Sequence, residues 1–138
     1  MTEDEIEKLL ADALSHLYDF SYLGTHPLAQ LSVISLLIVH DQTPLTHIDR
    51  GRALSRALHV AINELKPNEG QAHLGREARF FSILHQEYCE GKENSEVALN
   101  LAISERTFYR DRKRALRTLA HIVMDMESDM ESDMESQA

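Results

Sequence analysis

The run Ser104-Glu105-Arg106-Thr107-Phe108-Tyr109-Arg110-Asp111-Arg112-Lys113-Arg114-Ala115-Leu116-Arg117 leaves the chain around it little freedom in how it folds. Wound as a helix at about 100° per residue, it sorts into two faces. Arg106, Arg110, Lys113 and Arg117 share one narrow stripe, with Tyr109 and Arg114 beside it. Phe108, Ala115, Leu119 and Ile122 share the opposite one. A helix of this kind buries one side and presents cations and hydrogen-bond donors on the other. Ser104 suits the N-cap, because its hydroxyl can accept from a free amide of the first turn. The side chains just after it then stand at an exposed tip.

The residues upstream give this helix a setting. Ser95-Glu96-Val97-Ala98-Leu99-Asn100-Leu101 reads as a short helical piece with Val97, Ala98 and Leu101 on one side, followed by Ala102-Ile103 and the Ser104 cap. The order is short helix, tight turn with an apolar plug, longer basic helix. That is the layout of a helix-turn-helix, whose second helix enters a DNA major groove by its N-terminal part. Val97, Leu101, Ile103 and Phe108 would form the small core between the two helices, with Ala98 at their crossing. The plainer alternative is a helical hairpin with a solvated basic face. The agreement of cap, plug, small crossing residue and basic stripe favours the first reading.

The phrase Ser95-Glu96-Val97-Ala98, then Leu101-Ala102-Ile103-Ser104, then Thr107-Phe108-Tyr109-Arg110, then Arg114-Ala115-Leu116 resembles the helix-turn-helix of sigma-factor region 4 and of the regulators related to it. Its Phe-Tyr-Arg-Asp variant is similar to phage late-gene regulators of the ArpU kind. The likeness covers about a quarter of the chain. It implies a bacterial or phage DNA-binding regulator, with RNA polymerase as a further partner. Two positions depart from the family pattern. Ala102 stands where Gly is usual, and at positive φ this would cost on the order of 1 kcal/mol. Arg112 replaces a usual Leu.

Elsewhere the periodicity is also helical. Thr2-Glu3-Asp4-Glu5 reads as a capping box opening a first helix to about Tyr18, with Ile6, Leu9, Leu10, Ala13, Leu14 and Leu17 at helical spacing. Phe20 to Gly24 reads as a break. Pro27 suits the start of a mostly apolar helix to about Val39, a core element or a dimer surface. A loop from Asp41 to Thr46 holds Pro44, and Thr46 or Asp49 can cap a third helix ending before Pro67. Arg50, Arg52 and Arg56 near its start read as a solvated face. Pro67-Asn68-Glu69-Gly70 is a turn and the best internal boundary. A fourth helix is expected from about Gly75 to Glu90, with Gly91 as its stop. Its Arg76 and Arg79 fit a structural ion pair better than a phosphate contact. The expected organisation is an all-α helical bundle with a C-terminal sigma-region-4-like helix-turn-helix. Residues 1–67 form an N-terminal bundle for packing, dimerisation or partner binding, residues 73–124 the helix-turn-helix region, and residues 125–138 a disordered acidic tail.

Charge bears on the partner. The net charge is −9, an awkward sign for a DNA binder. The last 14 residues hold six acids and no base, and without them 14 bases face 17 acids. Ser104 to Arg117 alone holds six bases against two acids. The local field near the groove matters more than the total for docking on phosphate. The Met-Glu-Ser-Asp repeat is of the composition that stays solvated and disordered, and such a tail is poised to fold back on the basic helix and compete with DNA.

Several classes are not expected. No apolar run approaches the ~18 residues a membrane span needs, and the acidic N-terminus lacks the positive region of a signal peptide. Cys89 is alone, so no intramolecular disulfide can form, which suits the cytoplasm. The eight His residues are scattered, with only His40 and His47 flanking a common loop, and no Cys cluster accompanies them. There is no Gly-rich phosphate loop, nucleophile elbow or paired-acid site. Neither an enzyme, a cofactor nor a metal site is expected. The reading is a cytoplasmic, sequence-specific transcriptional regulator that binds double-stranded DNA. Its recognition helix runs from about Glu105 to Leu119. Arg106, Tyr109, Arg110 and Lys113 would meet groove or phosphate, Ser104 and Thr107 phosphate at the tip, and Arg114 and Arg117 the backbone further along. A homodimer would set half-sites about one DNA turn apart. The alternative is a protein-binding module, an RNA polymerase adaptor or the partner of a larger regulator, without strong DNA specificity of its own.

Overall fold

The computed structural model describes residues 2–31, 46–66 and 76–136, and among them every regular element is helical. Helix α1 spans Glu3–Leu14. Its start is a reciprocal capping box: the Thr2 hydroxyl accepts from the Glu5 amide at 3.3 Å, and the Glu5 carboxylate accepts from the Thr2 amide at 3.2 Å. Ile6, Leu10, Ala13 and Leu14 form its buried face. It ends short of the expected Tyr18. Ser15 donates from its hydroxyl to Ala11 O at 2.9 Å, and His16 Nδ1 lies 3.0 Å from Asp12 O, so side chains take up the last carbonyls in place of further turns.

The stretch expected as a break is instead a short helix, α2, Phe20–Gly24, capped by the Asp19 carboxylate on the Tyr22 amide. Its packing explains it. A Cβ on Gly24 would lie 1.7 Å from His47 O, and one on Gly51 1.9 Å from Phe20 O. The two backbones therefore touch at paired glycines, where no side chain would fit. Pro27–Gln30 follows as a single 3-10 turn, with His26 Nδ1 accepting from the Leu28 amide at 3.2 Å. Leu31 is then extended, with φ −64° and ψ 147°, so the apolar helix expected from Pro27 to Val39 is interrupted at Leu31. The rest of that expected helix, the loop with His40 and Pro44, and the Pro67–Gly70 turn lie outside the described residues.

Helix α3, His47–Asn63, opens on a second capping box between Thr46 and Asp49. It carries the buried stripe of Leu54, Ala57, Leu58, Ala61 and Ile62. Arg52 lies over the Phe20 ring, 5.7 Å from its centroid. Helix α4, Arg76–Leu84, runs without a break into a π-helical turn, His85–Cys89. Gly91, at φ +72°, then reverses the chain. Helix α5, Asn94–Asn100, and a four-residue turn lead to α6, Glu105–Ser136, which is 32 residues long.

The length of α6 corrects two expectations. It does not end near Leu119, and the acidic tail is helix as far as Ser136 rather than disordered. No Gly or Pro interrupts the run, Met and Glu are good helix formers, and partly buried Met124 and Met126 pack against the core, carrying the helix past Val123. A tail that is the straight continuation of the basic segment cannot fold back onto it. Asp125 lies 19 residues beyond Arg106, about 28 Å along the same axis.

One core joins residues from α1, α2, the 3-10 turn and α3 to Phe80 and Leu84 of α4 and to Ala115, Leu116, Leu119, Ala120 and Val123 of α6. A second, smaller cluster of Ile83, Val97, Ala98 and Phe108, with Leu101 and Ile103 against it, lies between α4, α5 and the start of α6. The expected small core is present, and Ile83 joins it from α4.

Candidate nucleic-acid interface

The start of α6 is fixed from below. Ser104 accepts from the Thr107 amide at 3.1 Å and donates its hydroxyl proton to Thr107 Oγ1 at 3.0 Å. The turn before it takes Ala102 into the left-handed region, φ +56°, the conformation for which Gly is usual. Phe108 is fully buried, a burial worth about 2–3 kcal/mol, and it pins the first turn of α6 to α4 and α5.

Asp111, one turn on, is also fully buried, a placement the periodicity alone did not single out. Its partner is Arg79 of α4, with Nε 2.7 Å from Oδ2. Neither Asp111 oxygen nor Arg79 Nε makes an aligned hydrogen bond, so the pair is held by charge rather than by directed N–H bonds. Arg110 Nε stands 3.8 Å from the other Asp111 oxygen. Removing one member of such a pair strands the other charge, so Arg79 and Asp111 act together as a clamp between α4 and α6.

Arg112, the departure from the family pattern, also turns inward. It donates to Glu87 of the π-turn at 2.6 Å, and its guanidinium lies 5.4 Å from the Phe108 ring centroid and 5.1 Å from that of Tyr109. Burial pushes the Glu87 carboxyl up from its ordinary range, and the Arg112 charge draws it partly back. Tyr88 is pushed up to about 12, by burial first and the Glu87 charge second.

The eight residues singled out from the sequence sit on one helix and its cap, and all are exposed except Thr107, which is partly buried. Arg106, Lys113 and Arg114 have no carboxylate within ion-pair distance among the described residues. Tyr109 is anchored at its hydroxyl, which accepts from Asn94 Nδ2 of α5 at 3.3 Å. Asn94 was not singled out, since one Asn at a helix start carries no distinctive signal. Arg117 differs from the other cations. Its Nε lies 3.3 Å from Glu7 and 3.8 Å from Glu3, so α1 already neutralises it, and His121 Nε2 lies 2.9 Å from the same Glu3. Arg79 makes the structural ion pair expected of it.

The surface is thus a convex helical ridge. Its cations project from one side, and its opposite stripe is locked by Phe108, Asp111 and Ala115. It can present donors to phosphate and to base edges. Among the described residues no group of three His, Cys, Asp or Glu is arranged to hold a metal ion. No helix there is long and apolar enough to cross a membrane. Comparisons with protein-family models, with curated proteins and with solved structures find no match to this chain.

Proposed function

We propose that this chain is a sequence-specific, double-stranded-DNA-binding transcriptional regulator, working without catalysis in the cytoplasm and docking the N-terminal half of α6 in a major groove. The observation that carries the reading is the row of exposed cations directly after a capped helix start, Arg106, Arg110 and Lys113 on one stripe with Arg114 beside it. Its likeness in residue pattern to sigma-region-4 helix-turn-helices agrees with that use. A major groove about 12 Å wide admits one helix, and Arg in its first turns can reach guanine O6 and N7 in bidentate fashion. Arg106 and Arg110 take that role. Lys113 and Arg114 meet phosphate, and so does the Thr107 hydroxyl, whose proton is free because its oxygen accepts from Ser104. Arg117 is a lesser contact, since Glu3 and Glu7 hold it. A two-fold dimer would read half-sites about one turn apart.

The test is fluorescence anisotropy on a randomised duplex pool at low and physiological salt, with the double variant Arg106→Ala/Arg110→Ala as control. Selected sequences bound by the native chain and lost by the control support the reading. Arg110→Ala alone should cost about 1–3 kcal/mol on the selected site. No binding by folded protein at either salt overturns it.

A second reading is a protein-binding module, such as a polymerase adaptor. It is favoured by the net charge of −9 and by a groove of about 370 Å³ in which Val60, Ile122 and Met126 are rimmed by Glu64, Asp125 and Asp129. A polymerase pull-down that succeeds where DNA binding fails would select it.

A further inference from the structure

Tyr109 stands among the cations of α6 without sharing their chemistry. It is 46% exposed and directly precedes Arg110. Three contacts hold its side chain. The Arg112 guanidinium lies over its ring, 5.1 Å from the centroid. The Phe108 ring meets it edge to face, with centroids 5.4 Å apart and planes at 74°. Its hydroxyl accepts at 3.3 Å from Asn94, the first residue of α5. Two of these supports are themselves fixed, since Arg112 donates to Glu87 at 2.6 Å and Phe108 is fully buried. The ring therefore reaches from α6 to the start of α5 and is oriented before any ligand arrives. A tyrosine has few torsions to fix, and a contact made by one already held loses little conformational freedom. Phosphate and guanine are served by the arginines and the lysine around it, and ring carbon adds nothing to either. The edges of the bases in a major groove are donors and acceptors with one exception, the 5-methyl group of thymine, which apolar side-chain surface recognises.

We infer that Tyr109 determines part of the sequence specificity by packing its ring on the 5-methyl group of a thymine, with Asn94 and Arg112 as the residues that position the ring. This rests on the reading of α6 as a major-groove helix. Side chains three residues apart on a helix have Cβ atoms about 5–6 Å apart, as Arg106 and Tyr109 do in sequence. Base pairs stack about 3.4 Å apart, so the thymine falls within about two base pairs of the guanine met by Arg106. The departure at Arg112 gains a use on this account. The Leu usual at that position would bring no guanidinium over the Tyr109 ring and no charge for Glu87 to hold.

Uracil lacks only that methyl group and pairs as thymine does, so the first test needs no variant of the protein. In the duplex that the native full chain selects from the randomised pool, each thymine is replaced by uracil in turn and affinity is read by fluorescence anisotropy. One position in each half-site, within two base pairs of a guanine, should lose about fourfold, the equivalent of one buried methyl. The loss should be the same at low and at physiological salt, because no phosphate contact changes. Tyr109→Ala should bind the thymine and uracil duplexes alike, whereas Tyr109→Phe, which keeps the ring, should keep the difference. Asn94→Ala should reduce it to about twofold, a ratio that a general loss of stability would not move. A selected duplex that has no thymine there, or whose affinity is indifferent to uracil at every position, overturns this inference and leaves the DNA-binding reading standing. A difference that survives in Tyr109→Ala overturns it as well, and one untouched in Asn94→Ala overturns the positioning of the ring. Failure of the folded chain to select any duplex removes the DNA-binding reading and this inference together.

Discussion

Ala102 carries the clearest local cost in the molecule. At φ +56° its Cβ crowds the following carbonyl, a penalty of about 1–2 kcal/mol that Gly does not incur. Gly gives back part of the gain through a freer unfolded chain, about 0.4–1 kcal/mol. Ala102→Gly should therefore raise unfolding stability by about 0.5–1 kcal/mol in urea denaturation, and a lowered midpoint would show that the turn does not need its left-handed residue. Asp12 offers a pH-dependent case. Its Oδ2 accepts from Tyr22 Oη at 2.7 Å and lies 3.0 Å from His26 Nε2, which carries the proton because Nδ1 accepts from Leu28. The Tyr22 hydroxyl first, and then His26, hold the Asp12 carboxyl below its ordinary value of 3.8. A lowered carboxyl stabilises the fold above its ordinary value, and that contribution disappears as pH falls through the lowered one. The difference in melting temperature between the native chain and Asp12→Ala should be full near neutral pH and shrink as pH drops below 3.8. At this scale the sequence was legible where partners are near neighbours: the Thr2–Glu5 box and the Ser104 cap are as read, while for the third helix the sequence offered Thr46 or Asp49 and the structure uses the two together. Asp111 was not, because a charge on a buried stripe makes sense only once Arg79, from another helix, is beside it.

Among the elements, α2 and α3 depend on two glycines. Gly51→Ala would drive a methyl into Phe20 O, a backbone atom that cannot rotate aside. The overpacking should cost about 2 kcal/mol, read as a lower midpoint in chemical denaturation. Native stability in that variant would mean the two helices can part without loss. The long periodic elements were legible, and so was the seven-residue α5, but the short α2 was not. A five-residue helix such as Phe20–Gly24 has no room to display a period, and its glycine reads as a break until the backbone it touches is seen. The interruption at Leu31 is likewise invisible in an apolar run whose residues suit either helix or extended chain. The π-turn leaves no mark in the sequence, since His85–Cys89 continues the pattern of the helix before it.

For the molecule as a whole, the acidic end of α6 and the basic start are separated along one rod. Beyond about 8 Å, exposed charges are largely screened at physiological salt. Ending the chain after Asp129 should thus leave affinity for a selected DNA site within about twofold at that salt. Ending it before Asp125 also removes Met126 from the core and should lower thermal stability. A large rise in affinity from the shorter truncation would mean the tail reaches the basic face after all. Composition alone pointed to disorder here because it weighs charge and ignores packing at Met124 and Met126.

The unbroken run of α6 also makes it a lever. Its fulcrum is where Ala115, Leu119 and Ala120 are wholly enclosed by the core. Arg106 lies 14 residues from Ala120, about 21 Å along the rod. A tilt of about 10° at that fulcrum would sweep the tip through about 4 Å. Because Phe108 and the Arg79–Asp111 pair tie that tip to α4 and α5, a load on the far arm near Met126 moves the cations only by carrying those two helices with them or by breaking that pair.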